Sequence, residues 1–346
     1  MKTLAFLSAF LLVGACATQS HKEKIQSIKN SVQIIEQKDV MEYASTITIN
    51  ELKSHLYFLA SDRFEGRSSG SNGQKLAAEF LKRYYTKESI SAPNGGDYFQ
   101  SIPGSYFGNG FEDTENVYAY IEGDEKPDEV LVISAHYDHM GIQKDGKVYY
   151  GADDDASGTV ALMEMAQAFK LAKKQGKGPK RSVLFLHTTA EEIGLQGSRF
   201  YTENPAFPLE QTIANLNIDM IGRVDTYYER NGRSDYLYLI GSDRLSTELH
   251  FINEAVNQTY FDLELNYTYN DEDDRNRYYY RSDHYNFARN NIPVIFYFNG
   301  EHADYHRVSD TPDKIDYNLL MKRTRFIFAT AWQLANQDRR IAVDKN

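Results

Sequence analysis

The feature that most constrains this sequence is an alternation of short, continuous apolar runs with segments of helical periodicity. Strands that are apolar at nearly every position, and not only at alternate positions, are typical of a sheet that helices cover on both faces. We therefore predict an α/β fold, a doubly wound mixed, mostly parallel sheet with helices on both faces. Strands are predicted at 117–121, 130–134, 183–188, 213–218, 236–240 and 293–298, and helices at 51–60, 74–85, from Gly158 to about 172, and at 315–334.

The length of 346 residues and the hydrophobic content of 41% allow one large domain with a sizeable core. We predict that this domain spans residues 46–340. Residues 16–45 are polar and rich in Lys, Gln and Ser, which is typical of a tether. No internal repeat is evident. An acidic, Tyr-rich stretch at 267–285 has no clear period and is expected to be a solvated loop, although long loops in compact domains are often functional.

Composition excludes several classes of function. The formal net charge of −11, without a long Lys/Arg-rich run, argues against a nucleic-acid binder, which must neutralise phosphates. The chain has one cysteine, so it cannot form an intramolecular disulfide, a four-cysteine zinc site or a CxxC redox pair. Any metal must therefore be held by His, Asp and Glu.

The first residues have the pattern of an export signal. Lys2 supplies a positive start, residues 4–13 are mostly apolar, and small residues precede Cys16. The run 13–16, VGAC, resembles a bacterial lipobox, so we expect a signal peptide at 1–15 and a lipid anchor on Cys16. The protein would then face the periplasm or the exterior from a bacterial membrane. Ordinary secretion as a soluble protein is the alternative, because Ala15-Cys16-Ala17 also fits a small-x-small cleavage site.

Residues of metal-ligand type lie at the ends of the predicted strands. The carboxyl ends of parallel strands meet at one edge of a doubly wound sheet, so residues far apart in sequence converge there. A single His or acidic residue at such a position would mean little, but several of them together indicate a site. The positions are His136 after VLVISA, Asp154 before the Gly158 helix, Glu191 and Glu192 after VLFLHTTA, Asp219 after IANLNI, and His306 after VIFYF.

The apolar surroundings of these carboxylates indicate a metal. Glu191 and Glu192 end an apolar strand, and Asp219 lies between Ile218 and Met220. Buried carboxylates need a partner cation or a metal ion. Two imidazoles with three carboxylates suit a pair of zinc ions, with one carboxylate bridging and one position open for water.

Five segments in order resemble the co-catalytic dizinc exopeptidase family, which includes aminopeptidase Y, bacterial secreted leucine aminopeptidases and the catalytic domain of glutamate carboxypeptidase. The resemblance runs from about residue 52 to 334, and LASDRFEGRSSGS at 59–71 is similar to the start of that domain. The five segments are HYD (136–138), GADDDASG (151–158), AEEIGLQGS (190–198), NIDMIG (217–222) and YHRVSDTP (305–312).

The resemblance implies a role for each residue. His136 and Asp219 would bind one zinc ion, Glu192 and His306 the other, and Asp154 would bridge the two. Asp138 would orient His136, Glu191 would act as the general base, and Tyr305 would donate a hydrogen bond to the tetrahedral intermediate. Asp155 departs from the pattern, since many members carry Asn there, and we expect only a small electrostatic effect.

The resemblance implies hydrolysis of a peptide from one end, and an aminopeptidase is the favoured form because carboxylates near the metals would attract a free α-ammonium group. A carboxypeptidase remains open; it would need a basic residue aimed at the substrate carboxylate, and the candidates are Arg223, Arg275, Arg277 and Arg281. A glutaminyl cyclase uses one zinc ion, which the retention of both His136 and His306 argues against. A non-catalytic relative should have lost ligands, and none is lost here. The sequence gives no prediction of oligomeric state.

Overall fold

In a computed structural model, which describes residues 20–345, the chain forms a single eight-stranded sheet. The strand order is β1-β2-β4-β3-β5-β8-β6-β7, so β3 lies between β4 and β5 in the middle of the sheet. The strands are β1 (Phe99–Ile102), β2 (Thr114–Ile121), β3 (Lys126–His136), β4 (Arg181–Thr188), β5 (Thr212–Ile218), β6 (Tyr236–Ile240), β7 (Glu264–Asn266) and β8 (Val294–Phe298).

The centre of the sheet is parallel and its edges are mixed. Strand β3 pairs in parallel with β4 and with β5, and β5 pairs in parallel with β8. Antiparallel pairs join β1 to β2, β2 to β4 and β6 to β8, while β6 and β7 are parallel. The predicted fold class, a mixed and mostly parallel sheet, is confirmed. The carboxyl ends of β3, β4, β5 and β8 therefore lie together at one edge.

Helices cover both faces of the sheet. Alternate residues of β3 divide between them: Leu131 and Ile133 belong to a large core with the longer helices, whereas Val130 and Val132 pack in a smaller core with Phe287. The helices are α1 (His21–Ser31), α2 (Gln37–Ala44), α3 (Ile49–Leu59), α4 (Asn72–Lys87), α5 (Gly158–Lys174), α6 (Gln196–Glu203), α7 (Thr226–Arg230), α8 (Thr247–Tyr260), α9 (His284–Ala288) and α10 (Tyr317–Asn336).

Local sequence signals set the helix starts. Thr48 and Ser71 cap α3 and α4, each accepting a hydrogen bond from the backbone N–H three residues later. Asp316 caps α10 by accepting from the N–H groups of Asn318 and Leu319. The predicted strands and helices all exist with ends shifted by a few residues. The short edge strands β1 and β7 and the helices α6, α7, α8 and α9 were not predicted.

Residues outside the predicted bounds of 46–340 contact the domain at both ends. Helix α2 lies in the stretch predicted as a tether, and in it Val40 and Tyr43 are buried and the Tyr43 ring stacks on Trp332 at 5.3 Å. The stretch has no clear apolar stripe in the sequence, but Val40, Tyr43 and Ala44 belong to the large core. At the other end, Ile341 is buried and Asp344 accepts a hydrogen bond from Thr247 N, so the domain continues beyond residue 340.

Among residues 20–345, no helix has the length and apolar character needed to cross a bilayer. The signal peptide at 1–15 and the anchor at Cys16 fall outside the described residues. They stay predictions.

The buried side chain of Arg67 ties the segments that carry the site. Its guanidinium donates hydrogen bonds to four backbone carbonyls, those of Leu59 at 3.1 Å, Tyr137 at 2.8 Å, Tyr150 at 2.8 Å and Gly151 at 2.9 Å. Burial lowers the pKa of Arg67 to about 10, and nearby aspartates oppose that shift, so the group is charged at neutral pH. Arg67 therefore holds the end of β3 against the turn that precedes α5.

Replacing Arg67 with Met should lower the free energy of unfolding by about 3–5 kcal/mol, because it leaves four buried carbonyls without donors. Arg63→Met is the matched control, since Arg63 is exposed on the same segment. Chemical denaturation of both variants measures the difference. Equal stabilities of the two variants would contradict the role given to Arg67.

Candidate metal centre

The strand ends bring the predicted site residues together. His136 is the last residue of β3, Glu191 and Glu192 lie just after β4, and Asp219 follows β5 directly. These three neighbouring strands are parallel, so their carboxyl ends coincide. Asp154 comes from the irregular turn 152–157 that leads into α5, and His306 comes from the loop after β8.

The carboxylate of Asp154 lies between the two predicted histidine ligands. Its Oδ1 is 3.2 Å from His136 Nε2, and its Oδ2 is 3.1 Å from His306 Nε2. His136 Nε2 is also 3.6 Å from Asp219 Oδ1, and His306 Nε2 is 3.2 Å from Glu192 Oε2. The five residues thus form two groups that share only Asp154.

These spacings fit zinc. Two ligand atoms at 2.0–2.1 Å from a tetrahedral zinc ion are separated by about 3.3 Å, and the four nitrogen–oxygen distances lie between 3.1 and 3.6 Å. Two of the atoms that face the centre, His136 Nε2 and Asp154 Oδ2, are buried and have no hydrogen-bond partner among the described residues. A cation would satisfy both of them.

The charges of the two groups complement each other even without an ion. Burial lowers the pKa of His306, but the carboxylates of Asp154 and Glu192 outweigh burial and raise it to about 10. The facing histidines hold the pKa of Asp154 well below its usual range against the effect of burial. The cluster would release protons when a metal ion binds, since ligands coordinate in their deprotonated form.

His136 has a fixed tautomer. Its Nδ1 donates to the backbone carbonyl of Asp138 at 3.1 Å, which leaves Nε2 free to face Asp154. The Asp138 carboxylate is also near this nitrogen, with Oδ1 3.7 Å from Nδ1, and its role in orienting His136 stays a prediction. The carboxylate further accepts hydrogen bonds from Ser69 Oγ at 2.9 Å and from the backbone N–H of Glu191 at 3.2 Å. Asp138 therefore links the start of the domain to the Glu191 turn.

The Tyr-rich stretch contributes to the site. Ser282 Oγ donates to Asp219 Oδ2 at 2.6 Å, and Asn217 Nδ2 donates to Ser282 Oγ at 2.8 Å. Ser134 Oγ completes the chain by donating to Asn217 Oδ1 at 2.6 Å. The expectation of a purely solvated loop is wrong for this part of the stretch. Residues 282–285 were hard to separate from their acidic surroundings because the sequence gives no periodic signal there.

Asp155 uses its carboxylate as a backbone acceptor. Its Oδ1 accepts from Gly158 N at 2.9 Å and from Met220 N at 3.0 Å. Burial is the main cause that raises the pKa of Asp155 well above its usual range, with Asp219 adding to it and His136 opposing it. An Asn at this position could accept the same two bonds through its own Oδ1, which explains why either residue fits.

Glu191 and Tyr305 line one narrow cavity beside the metal groups. The cavity is also lined by Asp154, Asp219, Met220, Tyr278, Arg281, Phe296, Phe298, Glu301 and His306. Burial raises the pKa of Glu191 well above its usual range; the charge of His136 opposes this and those of Asp219 and Glu192 add to it. Tyr305 stacks on His306 with ring centroids 3.9 Å apart, and burial raises its pKa, so its hydroxyl remains a donor at neutral pH.

Backbone strain marks the same positions. Ala190, Met220 and His306 are non-glycine residues with φ of 57°, 61° and 54°. Each is a ligand-type residue or adjoins Glu191 or Asp219. Such conformations cost about 1–3 kcal/mol each and persist where the surroundings impose them. The strained residues therefore lie in the loops that position the candidate ligands.

One residue of the cluster was not predicted from the sequence. His139 is fully buried, and its Nδ1 lies 2.6 Å from Glu192 Oε1 and 3.7 Å from Asp154 Oδ2. With Asp154 and Glu192 it forms a group that could hold a metal ion, as do His136, Asp155 and Asp219. The signal was present in the sequence, because His139 follows His136 and Asp138 in the same strand-end turn.

Comparison with known proteins decides the family. Residues 116–331, more than half of the chain, match the profile described as Peptidase family M28. The chain belongs to this family. The matched range contains all of the candidate ligands as well as Glu191 and Tyr305.

The chain is also similar to individual proteins and solved structures. The "Probable zinc metalloprotease" of Pyricularia oryzae is 29% identical over 272 residues, covering 66% of this chain and 52% of that protein. The "Probable leucine aminopeptidase" of Arthroderma otae is 25% identical, covering 90% and 88%. This chain thus spans about half the length of the first relative. The LapA aminopeptidase of Legionella pneumophila shares the fold with a TM-score of 0.69 at 21% identity, covering 89% of this chain and 77% of that chain.

Proposed function

We propose that this protein is a zinc-dependent exopeptidase, specifically an aminopeptidase, with two zinc ions per chain. The observation that carries the proposal is the position of Asp154, whose two carboxylate oxygens face different histidines at 3.2 and 3.1 Å. His136 and Asp219 would complete one zinc site, and Glu192 and His306 the other. A single shared carboxylate with a His and an acidic residue on each side is the arrangement that a pair of metal ions requires.

The residues of the cavity can divide the chemistry of peptide hydrolysis. Zinc ions bound here would acidify a water molecule and polarise the scissile carbonyl. Glu191 lies in the same cavity as Asp154 and Asp219 and would accept the proton of that water, then deliver it to the leaving amine. Tyr305, which lines the same cavity, would donate a hydrogen bond to the oxyanion.

The charges around the cavity favour a substrate with a free amino terminus. Glu191, Asp219 and Glu301 all line it. Arg281 is the one arginine of the lining in the described chain, and Glu301 already pairs with it at 3.1 Å. A carboxypeptidase would need an unpaired cation at this place.

The other arginines that were considered as carboxylate receptors do not line the cavity. Arg223 pairs with Asp304 at 3.0 Å, while Arg275 and Arg277 are exposed. A single-zinc cyclase is disfavoured as well, because the second group, with Glu192 and His306, is fully assembled.

Peptides with a free amino terminus should be hydrolysed from that end, whereas N-acetylated forms of the same peptides should not.

In Glu191→Gln, kcat should fall by about two to four orders of magnitude because the amide cannot accept the proton. Zinc content of the same preparation should equal that of wild type. Near-normal turnover by zinc-replete Glu191→Gln would contradict the mechanism, and release of C-terminal residues instead would make the protein a carboxypeptidase.

The number of zinc ions can be tested by comparing two ligands. His306→Ala should lose about one zinc ion per chain, since His306 itself belongs only to the second group, whereas Asp154→Ala should lose both because Asp154 belongs to both groups. Elemental analysis after dialysis measures this. One tightly bound ion in fully active wild-type protein would contradict the two-zinc proposal.

We further propose that Cys16 is acylated and anchors the enzyme to a bacterial membrane facing the periplasm or exterior. The support is the sequence 13–16, VGAC, after an apolar run. Cys16→Ser should move the protein from the membrane fraction to the soluble fraction with unchanged kcat. A wild-type protein that is soluble and begins beyond Cys16 would instead indicate ordinary secretion.

A further inference from the structure

His139 lies next to the second metal group but is not one of the five proposed ligands. Its side chain is inaccessible to solvent, and neither ring nitrogen has a well-aligned hydrogen-bond partner among the described residues. The Nδ1 atom nevertheless lies 2.6 Å from Glu192 Oε1. An imidazole nitrogen and a carboxylate oxygen approach this closely only when a proton or a cation lies between them.

A shared metal ion does not account for this contact. A zinc ion at 2.0–2.1 Å from both atoms would subtend an angle of about 80° between them, far below the tetrahedral value. The pairs that flank the proposed ions are longer, at 3.1 Å and 3.2 Å for His306 with Asp154 and Glu192. The His139–Glu192 contact therefore has the length of a charge-assisted hydrogen bond.

We propose that His139 is a positioning residue of the metal centre, whose Nδ1 donates a hydrogen bond to Oε1 of Glu192. This leaves Oε2 as the oxygen of Glu192 that faces His306 and would bind the ion. The two atoms are close but the Nδ1–H direction is not well aligned with Oε1, so the hydrogen bond is part of the proposal. The inference rests on the proposed role of Glu192 as a ligand.

The surroundings hold the His139 ring in place for this contact. Its backbone N–H donates to the carbonyl of Arg67 at 3.1 Å, and the ring lies edge-on to His306 with centroids 6.0 Å apart. Gly151 lies against the other side of the ring, where an added Cβ would be 2.5 Å from Cδ2 of His139. Gly151 also has a φ of +53°, so the close approach and the backbone conformation both favour glycine here.

A hydrogen bond to the outer oxygen of a ligating carboxylate fixes its orientation and its charge. Loss of such outer partners lowers metal affinity or activity by about 10- to 100-fold in known metal sites. The expected effect of losing His139 is thus a weaker second zinc site, with the first group around His136 and Asp219 less affected.

Two substitutions separate the hydrogen bond from the shape of the ring. His139→Phe keeps a buried ring but removes the donor, and it should weaken the second zinc-binding event by about 10- to 100-fold. His139→Asn places an amide N–H close to the position of Nδ1 and should recover most of the affinity. Zinc binding is measured by titrating chelator-stripped protein, and circular dichroism checks that each variant is folded.

His55→Phe is the matched control. His55 makes the same kind of contact, with Nδ1 2.9 Å from Glu164 Oε1, but between α3 and α5 outside the metal cluster. This variant should bind zinc as wild type does. The control therefore distinguishes loss of a histidine–carboxylate contact in general from loss of this one.

Two results would overturn the proposal. One is a wild-type zinc affinity of the second site in folded His139→Phe. The other is an equal loss of that affinity in His139→Phe and His139→Asn, which would make His139 a metal ligand itself. If neither variant folds, zinc binding is measured on Gly151→Ala in their place, because the added Cβ displaces the His139 ring. Undiminished binding at the second zinc site of Gly151→Ala would overturn the proposal. A wild-type protein that binds no zinc would instead refute the proposed function.

Discussion

The stability of the structure depends on compensation of the negative charge of many buried carboxylates at one edge of the sheet. Asp138, Asp153, Asp154, Asp155 and Asp310 are all buried, and Glu192 and Asp219 are nearly so. Isolated buried charges of one sign are strongly destabilising, so such a group is stable only with cations or hydrogen-bond donors around it. The facing histidines, a set of backbone N–H groups and the buried Arg67 supply part of that compensation. We propose that two metal ions on either side of Asp154 supply the rest.

The compensation by hydrogen bonds also sets the positions of the ligands. Asp310 accepts from the backbone N–H groups of Asp153 and Asp154, and so holds the turn that presents Asp154. Asp155 ties the same turn to the strand end that carries Asp219, through the N–H of Met220. The loops of the site are thus attached to each other through carboxylates that do not face the centre. This arrangement allows the strained conformations at Met220 and His306 to persist.

Much of this arrangement could be predicted from the sequence. Continuous apolar runs followed by His, Asp or Glu predicted both the sheet and the edge where the site lies, because strand direction fixes where such residues meet. The contacts within the edge could not be predicted in this way. The backbone carbonyl of Asp138 accepts the hydrogen bond of His136 Nδ1, a contact that the sequence does not indicate. The role of His139 could not be predicted, because a histidine in a turn becomes unusual only when its buried neighbours are known. The contact of helix α2 with the domain could not be predicted, because the burial of Val40 and Tyr43 depends on the distant helix α10.

The central claim, a pair of zinc ions on either side of Asp154, is tested most directly by anomalous diffraction from zinc-loaded crystals at the zinc absorption edge. The account predicts two peaks per chain, about 3.5–4 Å apart as in other two-metal sites. One peak should lie between His136 and Asp219 and the other between His306 and Glu192, with Asp154 in contact with both. A single peak, or two peaks that do not share Asp154, would contradict it.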